Sequence, residues 1–305
     1  MPLEKNKDRQ RSLRAGVAFD HPGLAAAAAG LARQLGLPLV SQVADDLDFV
    51  LFRTATRLEL RWTGDVAPAA PVWAEFVKGP AGYRRRRGGR EMLIRAVGVK
   101  QDRPPSVLDA TGGMGRDAFI LAGCGCAVHI FERNPVVAAL LRDGLLRAAA
   151  SPETRDSAAR IHLVAADSRK FLENMTNPGG KIDVVYLDPM FPGRTKSARV
   201  KKELQILQLL VGGDDDTEQL LAAALNAARN RVVVKRPKSA PPLAGRKPSH
   251  CLSGTTTRFD VYITIPAEVY AEDRGRTLKN PGHGKNELPR APGPEGAPAA
   301  NRKRP

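Results

Sequence analysis

Hydrophobic and polar positions change rhythm along this chain, and the change divides it. Asp20 before Pro22, followed by the apolar stretch from Leu24 to Ala29, predicts a helix capped by Asp20 that ends near Gly36. Phe49-Val50-Leu51-Phe52, Arg57-Leu58-Glu59-Leu60-Arg61-Trp62 and Val72-Trp73-Ala74-Glu75-Phe76-Val77 are short, and the last two alternate apolar with polar residues. They predict a small antiparallel sheet. A helix is expected over residues 91–99. From Ser106 onward, short apolar runs alternate with helical periodicity: residues 107–108, 127–131, 161–164, 182–187 and 231–234 read as strands. That alternation predicts a parallel sheet covered on both faces. The expected organisation is a basic flexible start over residues 1–19, a small α+β domain over 20–100, an α/β domain over 101–266, and a tail over 267–305.

Charge changes the picture next. Lys and Arg number 48 against 32 Asp and Glu, a formal charge of +16, so the surface attracts polyanions, nucleic acid first among them. Three cysteines make no disulfide framework, which predicts a reducing, cytoplasmic setting. Cys124-Gly125-Cys126 has no second ligand pair at zinc spacing, and no metal is called for. The alanine-rich stretch is interrupted by Asp20, His21 and Pro22 and is too weakly apolar for a signal sequence, and no run reaches membrane-spanning length. The last residues, rich in proline, glycine and charge, lack apolar periodicity and are expected to be disordered.

Chemistry concentrates at the ends of the predicted parallel strands, where open α/β sheets bind ligands. Asp188-Pro189-Met190-Phe191 ends the fourth. A carboxylate and a proline carbonyl can accept from an exocyclic amine while an aromatic face stacks on a base, which suits methylation of a nucleobase nitrogen. The bland alternative is a turn opened by Asp-Pro. Asp109-Ala110-Thr111-Gly112-Gly113-Met114-Gly115-Arg116-Asp117 joins the first strand to a helix, with Glu132 ending the second strand. Gly113 and Gly115 also fit the dinucleotide fingerprint, with Glu132 as its ribose acid. Acidic flanks at Asp109 and Asp117 would repel a pyrophosphate and favour S-adenosylmethionine, which brings an ammonium and a sulfonium. Glu132 can accept from ribose hydroxyls or cap the helix after Asn134. For phosphate contacts the candidates are Arg84, Arg85, Arg86 and Arg87, then Lys196, Lys201 and Lys202, then Lys235 and Arg236.

Six motifs together carry a family resemblance. They are the run from Asp109 to Phe119, the run from Glu132 to Leu141, Tyr186-Leu-Asp-Pro-Met-Phe-Pro192, the run from Lys196 to Glu203, Val232-Val-Val-Lys-Arg-Pro237 and Arg258-Phe-Asp-Val-Tyr262. Over about residues 20–266 the chain resembles the RsmJ family of bacterial S-adenosylmethionine-dependent methyltransferases. The resemblance implies a Rossmann-like methyltransferase fold, S-adenosylmethionine as cofactor, and 16S ribosomal RNA or the 30S subunit as partner. The implied product is a guanine methylated at the exocyclic N2 near the 3′ end of that RNA. It also implies that Arg116, Asp117, Glu132, Arg133, Asp167, Ser168 and Asp188 lie at or near the donor; residue chemistry by itself makes Asp188, Pro189 and Phe191 the candidates for catalysis. The family often has two serines where this chain has Asp167-Ser168, and an acid there suits the adenine amine. Transfer to another amine, in DNA adenine or protein glutamine, an oxidoreductase and a silent RNA binder are the competing readings.

Overall fold

The computed structural model describes residues 14–40, 47–63, 70–77, 92–175, 182–189, 210 and 216–265. The first strand, β1 (Ala15–Phe19), runs parallel to β2 (Phe49–Arg53), which pairs antiparallel with β3 (Leu58–Trp62). The small sheet is therefore mixed, because α1 (Ala25–Leu35) carries the chain back across it between β1 and β2. Ala15–Phe19 falls in the stretch expected to be flexible; its Gly-Val-Ala centre is buried although little in it reads as strand-forming. The expected Asp20 cap is replaced by His21, whose Nδ1 accepts from the Gly23 backbone N–H at a one-turn 3₁₀ helix before α1. The end at Gly36 is as expected, with the glycine in the left-handed region at φ 64°. The anticipated third strand over 72–77 reduces to a single bridge between Leu60 and Val72. Beyond it the chain leaves the sheet, and Phe76 stacks on Phe119 at 4.3 Å.

A helix α2 (Met92–Val97) leads into the second, seven-stranded sheet. Its elements follow as β4 (Val107–Asp109), α3 (Arg116–Gly123), β5 (Val128–Phe131), α4 (Pro135–Ala150), α5 (Arg155–Ala159), β6 (Ile161–Val164), α6 (Ser168–Glu173), β7 (Ile182–Leu187), α7 (Thr217–Ala227), β8 (Ala228–Pro237), β9 (His250–Ser253) and β10 (Thr257–Ile263). The order across the sheet is β6-β5-β4-β7-β8-β10-β9, parallel from β6 to β8, with β10 antiparallel to both neighbours. This is the Rossmann-like arrangement, and strand order reverses direction at β4, where β5 lies on one side and β7 on the other.

Strand periodicity explains the double burial. Val107, Val128, Ile130, Val184, Tyr186 and Val233 join one core with Phe119, Leu140 and Leu141. The alternate residues Leu108, Val185, Leu187, Val232 and Val234 are equally buried, so they line the opposite face. Asn134 caps α4 by accepting from the N–H groups of Val136 and Val137, with Pro135 in the first turn. Gly144 on that helix is required by close approach: a Cβ there would lie 2.6 Å from the Ala74 Cβ. The two sheets thus share a core, reinforced by Asp143, which pairs with Arg53 at 2.5 Å and Arg147 at 2.9 Å. Among the described residues, no helix is long and apolar enough to cross a membrane.

Candidate active site

The site begins where β4 and β7 separate. Ala110 N–H still donates to the Tyr186 carbonyl at 3.0 Å, and one residue on, Asp188 N–H donates to Thr111 Oγ1 at 2.6 Å. From the other side, Gly112 N–H donates to the Phe131 carbonyl at 2.8 Å, and Ser168 Oγ donates to the Ala110 carbonyl at 2.7 Å. A Cβ on Gly112 would stand 2.4 Å from Ile130 Cγ2, so only glycine lets the turn lie this close to β5. Gly113 and Gly115 then take φ of 51° and 67°, and α3 starts. Glu132, at the end of β5 and 7% exposed, accepts from the Gly113 N–H at Oε2 and from the Asn134 N–H at Oε1, both at 2.7 Å.

Around these strand ends lies a pocket that is open to solvent, at the carboxyl ends of the strands where open α/β sheets bind their ligands. Ala110, Thr111 and Gly113 line it from β4, and Phe131 and Leu220 add apolar walls. Four carboxylates, Glu132, Asp167, Asp188 and Asp216, reach it against two guanidiniums, Arg133 and Arg169. Arg133 is engaged by Asp216 at 3.0 Å, and Asp167 caps α6 by accepting from the Arg169 N–H at 2.9 Å.

Beside the pocket a second acid group surrounds one ammonium. Alternation puts Tyr186 and Asp188 on one face of β7, Asp109 on the same face of β4 and Lys235 on the same face of β8. Lys235 Nζ donates to Asp188 Oδ2 at 2.8 Å and to Asp117 Oδ2 at 2.7 Å, and the Tyr186 hydroxyl donates to that same Asp117 oxygen at 2.6 Å. Burial pushes the Asp109 carboxyl up to about 8, with Asp117 and Asp188 adding to the push, so Asp109 is mostly protonated at neutral pH. Burial also pushes Asp188 up, opposed by the Lys235 ammonium. Its side chain keeps 40% of its surface exposed, so water opposes that push as well. The two carboxylates hold Lys235 above its ordinary value and therefore charged.

Most of the residues anticipated from sequence come together here. Gly113, Glu132, Arg133, Asp167, Ser168 and Asp188 border the one pocket; Gly115 and Asp117 build the turn and its helix start, and Pro189 is buried behind Asp188. Arg116 is exposed in the first turn of α3. Phe191, Arg84, Arg85, Arg86, Arg87, Lys196, Lys201 and Lys202 lie outside the described residues. Two expected phosphate contacts need correcting. Lys235 is turned inward onto Asp117 and Asp188. Arg236, on the opposite face of β8, is 4% exposed and donates to the Pro241 carbonyl at 2.6 Å. Alternation within a buried strand decides both placements. Thr111, Tyr186 and Asp216 were not singled out for roles, although Tyr186 stands two residues before Asp188 and so shares its face.

Comparison with known proteins agrees with this geometry. A family model for SAM-dependent methyltransferases matches residues 31–264. The chain is 47% identical over 253 residues to ribosomal RNA small subunit methyltransferase J of Coxiella burnetii strain RSA 331, covering 82% of this chain and 97% of that protein. It is 48% identical over 260 residues to the protein of the same name from Marinobacter nauticus, covering 82% and 92%. The chain belongs to the RsmJ family of SAM-dependent methyltransferases. Among solved structures, a SAM-dependent methyltransferase from Neisseria gonorrhoeae matches with a TM-score of 0.64 at 36% identity, covering 87% of this chain and all of that one. The cofactor of the family is S-adenosylmethionine, and the excess of carboxylates around the pocket suits a ligand with an ammonium and a sulfonium.

Proposed function

We propose that this protein methylates the exocyclic N2 of a guanine in 16S ribosomal RNA, on the free RNA or within the 30S subunit. The observation that carries this reading is the Asp188 carboxylate, half-exposed at the mouth of an acid-lined pocket, with Lys235 on one oxygen only. Its support for RNA comes from the relatives' names and from a charge of +16.

When bound, S-adenosylmethionine supplies an electrophilic methyl group. Glu132 accepts from its ribose hydroxyls while keeping both backbone contacts, since a carboxylate has about four acceptor sites. Asp167 serves the adenine amine, and Thr111 and Gly113 form the floor. Guanine N2 is a weak nucleophile because its lone pair is delocalised into the ring. Asp188 Oδ1 and the Pro189 carbonyl accept from its two N–H groups, favouring the positive charge that grows on nitrogen, and Phe191 stacks on the base. Asp188 and Pro189 also orient that nitrogen, and fixed orientation supplies much of the remaining rate.

Asp188→Ala should retain donor binding and lose at least about 10²-fold in turnover, measured with tritiated donor on 30S subunits and on 16S RNA. Near-normal turnover would remove Asp188 from the mechanism. Label appearing at a position other than guanine N2, located by nucleoside mass analysis of the product, would overturn the substrate reading.

A further inference from the structure

Lys235 is the one charged donor to Asp188 among the described residues, and its placement is specific. Tyr186, Asp188 and Lys235 face the same side of adjacent parallel strands, and α3 brings Asp117 onto them from above the turn. Among the described residues, the titratable groups that face Asp188 are Asp109 from β4, Asp117 from α3, Tyr186 from β7 and Lys235 from β8. Glu132, Asp167 and the Arg133–Asp216 pair lie around the same pocket. Of these four described neighbours, three are acidic or phenolic and one is cationic.

We propose that Lys235 is a positioning residue for methyl transfer: clamped between Asp117 and Asp188, its ammonium fixes Asp188 Oδ2 and leaves Oδ1 to the incoming amine. The inference rests on the role proposed above for Asp188. The clamp has two consequences. It selects one orientation of the carboxylate, because Asp117 is itself held by Tyr186 and cannot follow a rotating Lys235. It also favours the charged form of Asp188 against burial and against the neighbouring Asp117, where two carboxylates would otherwise compete for a shared proton. Two of the three N–H donors of the Lys235 ammonium are thus committed to carboxylates.

The test compares Lys235→Met, Lys235→Gln and Lys235→Arg with wild type. Kcat/KM for methyl transfer is measured from pH 5.5 to 10, and the Asp188 carboxyl is titrated by carbon NMR in the substrate-free protein, its signal assigned by loss in Asp188→Asn. Removing a cation within 4 Å of a carboxylate shifts its midpoint by about one to three units. Met and Gln should therefore move the Asp188 midpoint and the acid limb of the rate profile upward together. Activity should fall at least about tenfold at pH 7 and recover at higher pH, and Arg should restore most of it. Gln keeps a hydrogen-bond donor and polar packing without the charge, so it reports even where Met unfolds. An unmoved Asp188 midpoint, or a loss equal at every pH, overturns the proposal. The NMR titration needs no substrate: a shifted midpoint in a protein whose wild type labels no guanine would sustain the charge coupling and sink the substrate assignment instead.

Discussion

Glu132→Gln tests whether one carboxylate both builds the site and reads the donor. Oε2 accepts from Gly113 N–H and Oε1 from Asn134 N–H, each at 2.7 Å, and the residue is 7% exposed. Glutamine keeps the shape but turns one oxygen into an NH2, which then faces a backbone donor. Losing one charge-assisted bond and stranding a buried N–H costs roughly 2–3 kcal/mol. At about 2–4 °C per kcal/mol for a domain of this size, Tm should fall by roughly 4–12 °C. Loss of the ribose acceptor should weaken donor binding by a further 10- to 100-fold, from about 1.5–3 kcal/mol for a hydrogen bond to a charged group. Calorimetric titration with S-adenosylmethionine and with S-adenosylhomocysteine separates the two effects, because both ligands carry the same ribose and only one carries the sulfonium. Equal losses for both ligands are expected. A lowered Tm with donor affinity within twofold of wild type would refute ribose recognition and leave Glu132 as a brace for the glycine turn and α4.

Asp109 predicts a pH dependence whose sign follows from its raised folded value. The folded state holds a proton that the unfolded chain has released above about pH 4, so stability should fall as pH rises from there to about 8, by up to roughly 1.4 kcal/mol per unit. Asp109→Asn should remove that part of the slope, and urea unfolding at pH 5.5 and pH 8 showing parallel losses in both proteins would contradict it. Gly112→Ala forces a Cβ to within 2.4 Å of Ile130 Cγ2 and 2.9 Å of the Phe131 carbonyl. Overpacking of that kind costs about 1–3 kcal/mol, and because the displaced turn carries Thr111 and Gly113, donor affinity should drop with it; unchanged urea midpoints would show that the turn has room.

The α/β half was legible because its signals are local. Residues 161–164 and 182–187 are strands with the bounds their apolar runs suggest, the central strand because it is buried on both faces along nearly all its length. Asn134-Pro135 marked the start of α4 by cap chemistry alone. The small sheet was harder: Ala15–Phe19 pairs parallel to Phe49–Arg53 across a helix, and nothing in five mostly small residues announces a partner so far along the chain. Val72 forms its bridge, but the rest of that alternating stretch is claimed by Phe119 and α4, a tertiary contact that overrides periodicity. The β9–β10 hairpin was read only as a motif around Arg258, whose guanidinium is bonded to the fully buried Asp260 in the same strand. In the site, residue types at strand ends were readable. Which face a cation takes at the end of β8 depends on the strand's register, and that assigned Lys235 to the acids and Arg236 to the interior.

The charge argument against a dinucleotide survives, but through different residues. Sequence placed it on Asp109 and Asp117, flanking the glycines; in the folded protein Asp109 is mostly neutral and Asp117 is compensated by Lys235. The decisive group is Glu132. In a dinucleotide site the glycine turn offers its N–H groups to a pyrophosphate, whereas here the Gly113 N–H is already given to a carboxylate at 2.7 Å. A pyrophosphate arriving there would lose that donor and meet an anion, with Asp167, Asp188 and Asp216 around the same cavity and Arg133 occupied by Asp216. A cationic donor meets the opposite field. Selection between the two cofactors is thus made by what the turn's amide already holds, which a glycine count in the sequence cannot reveal.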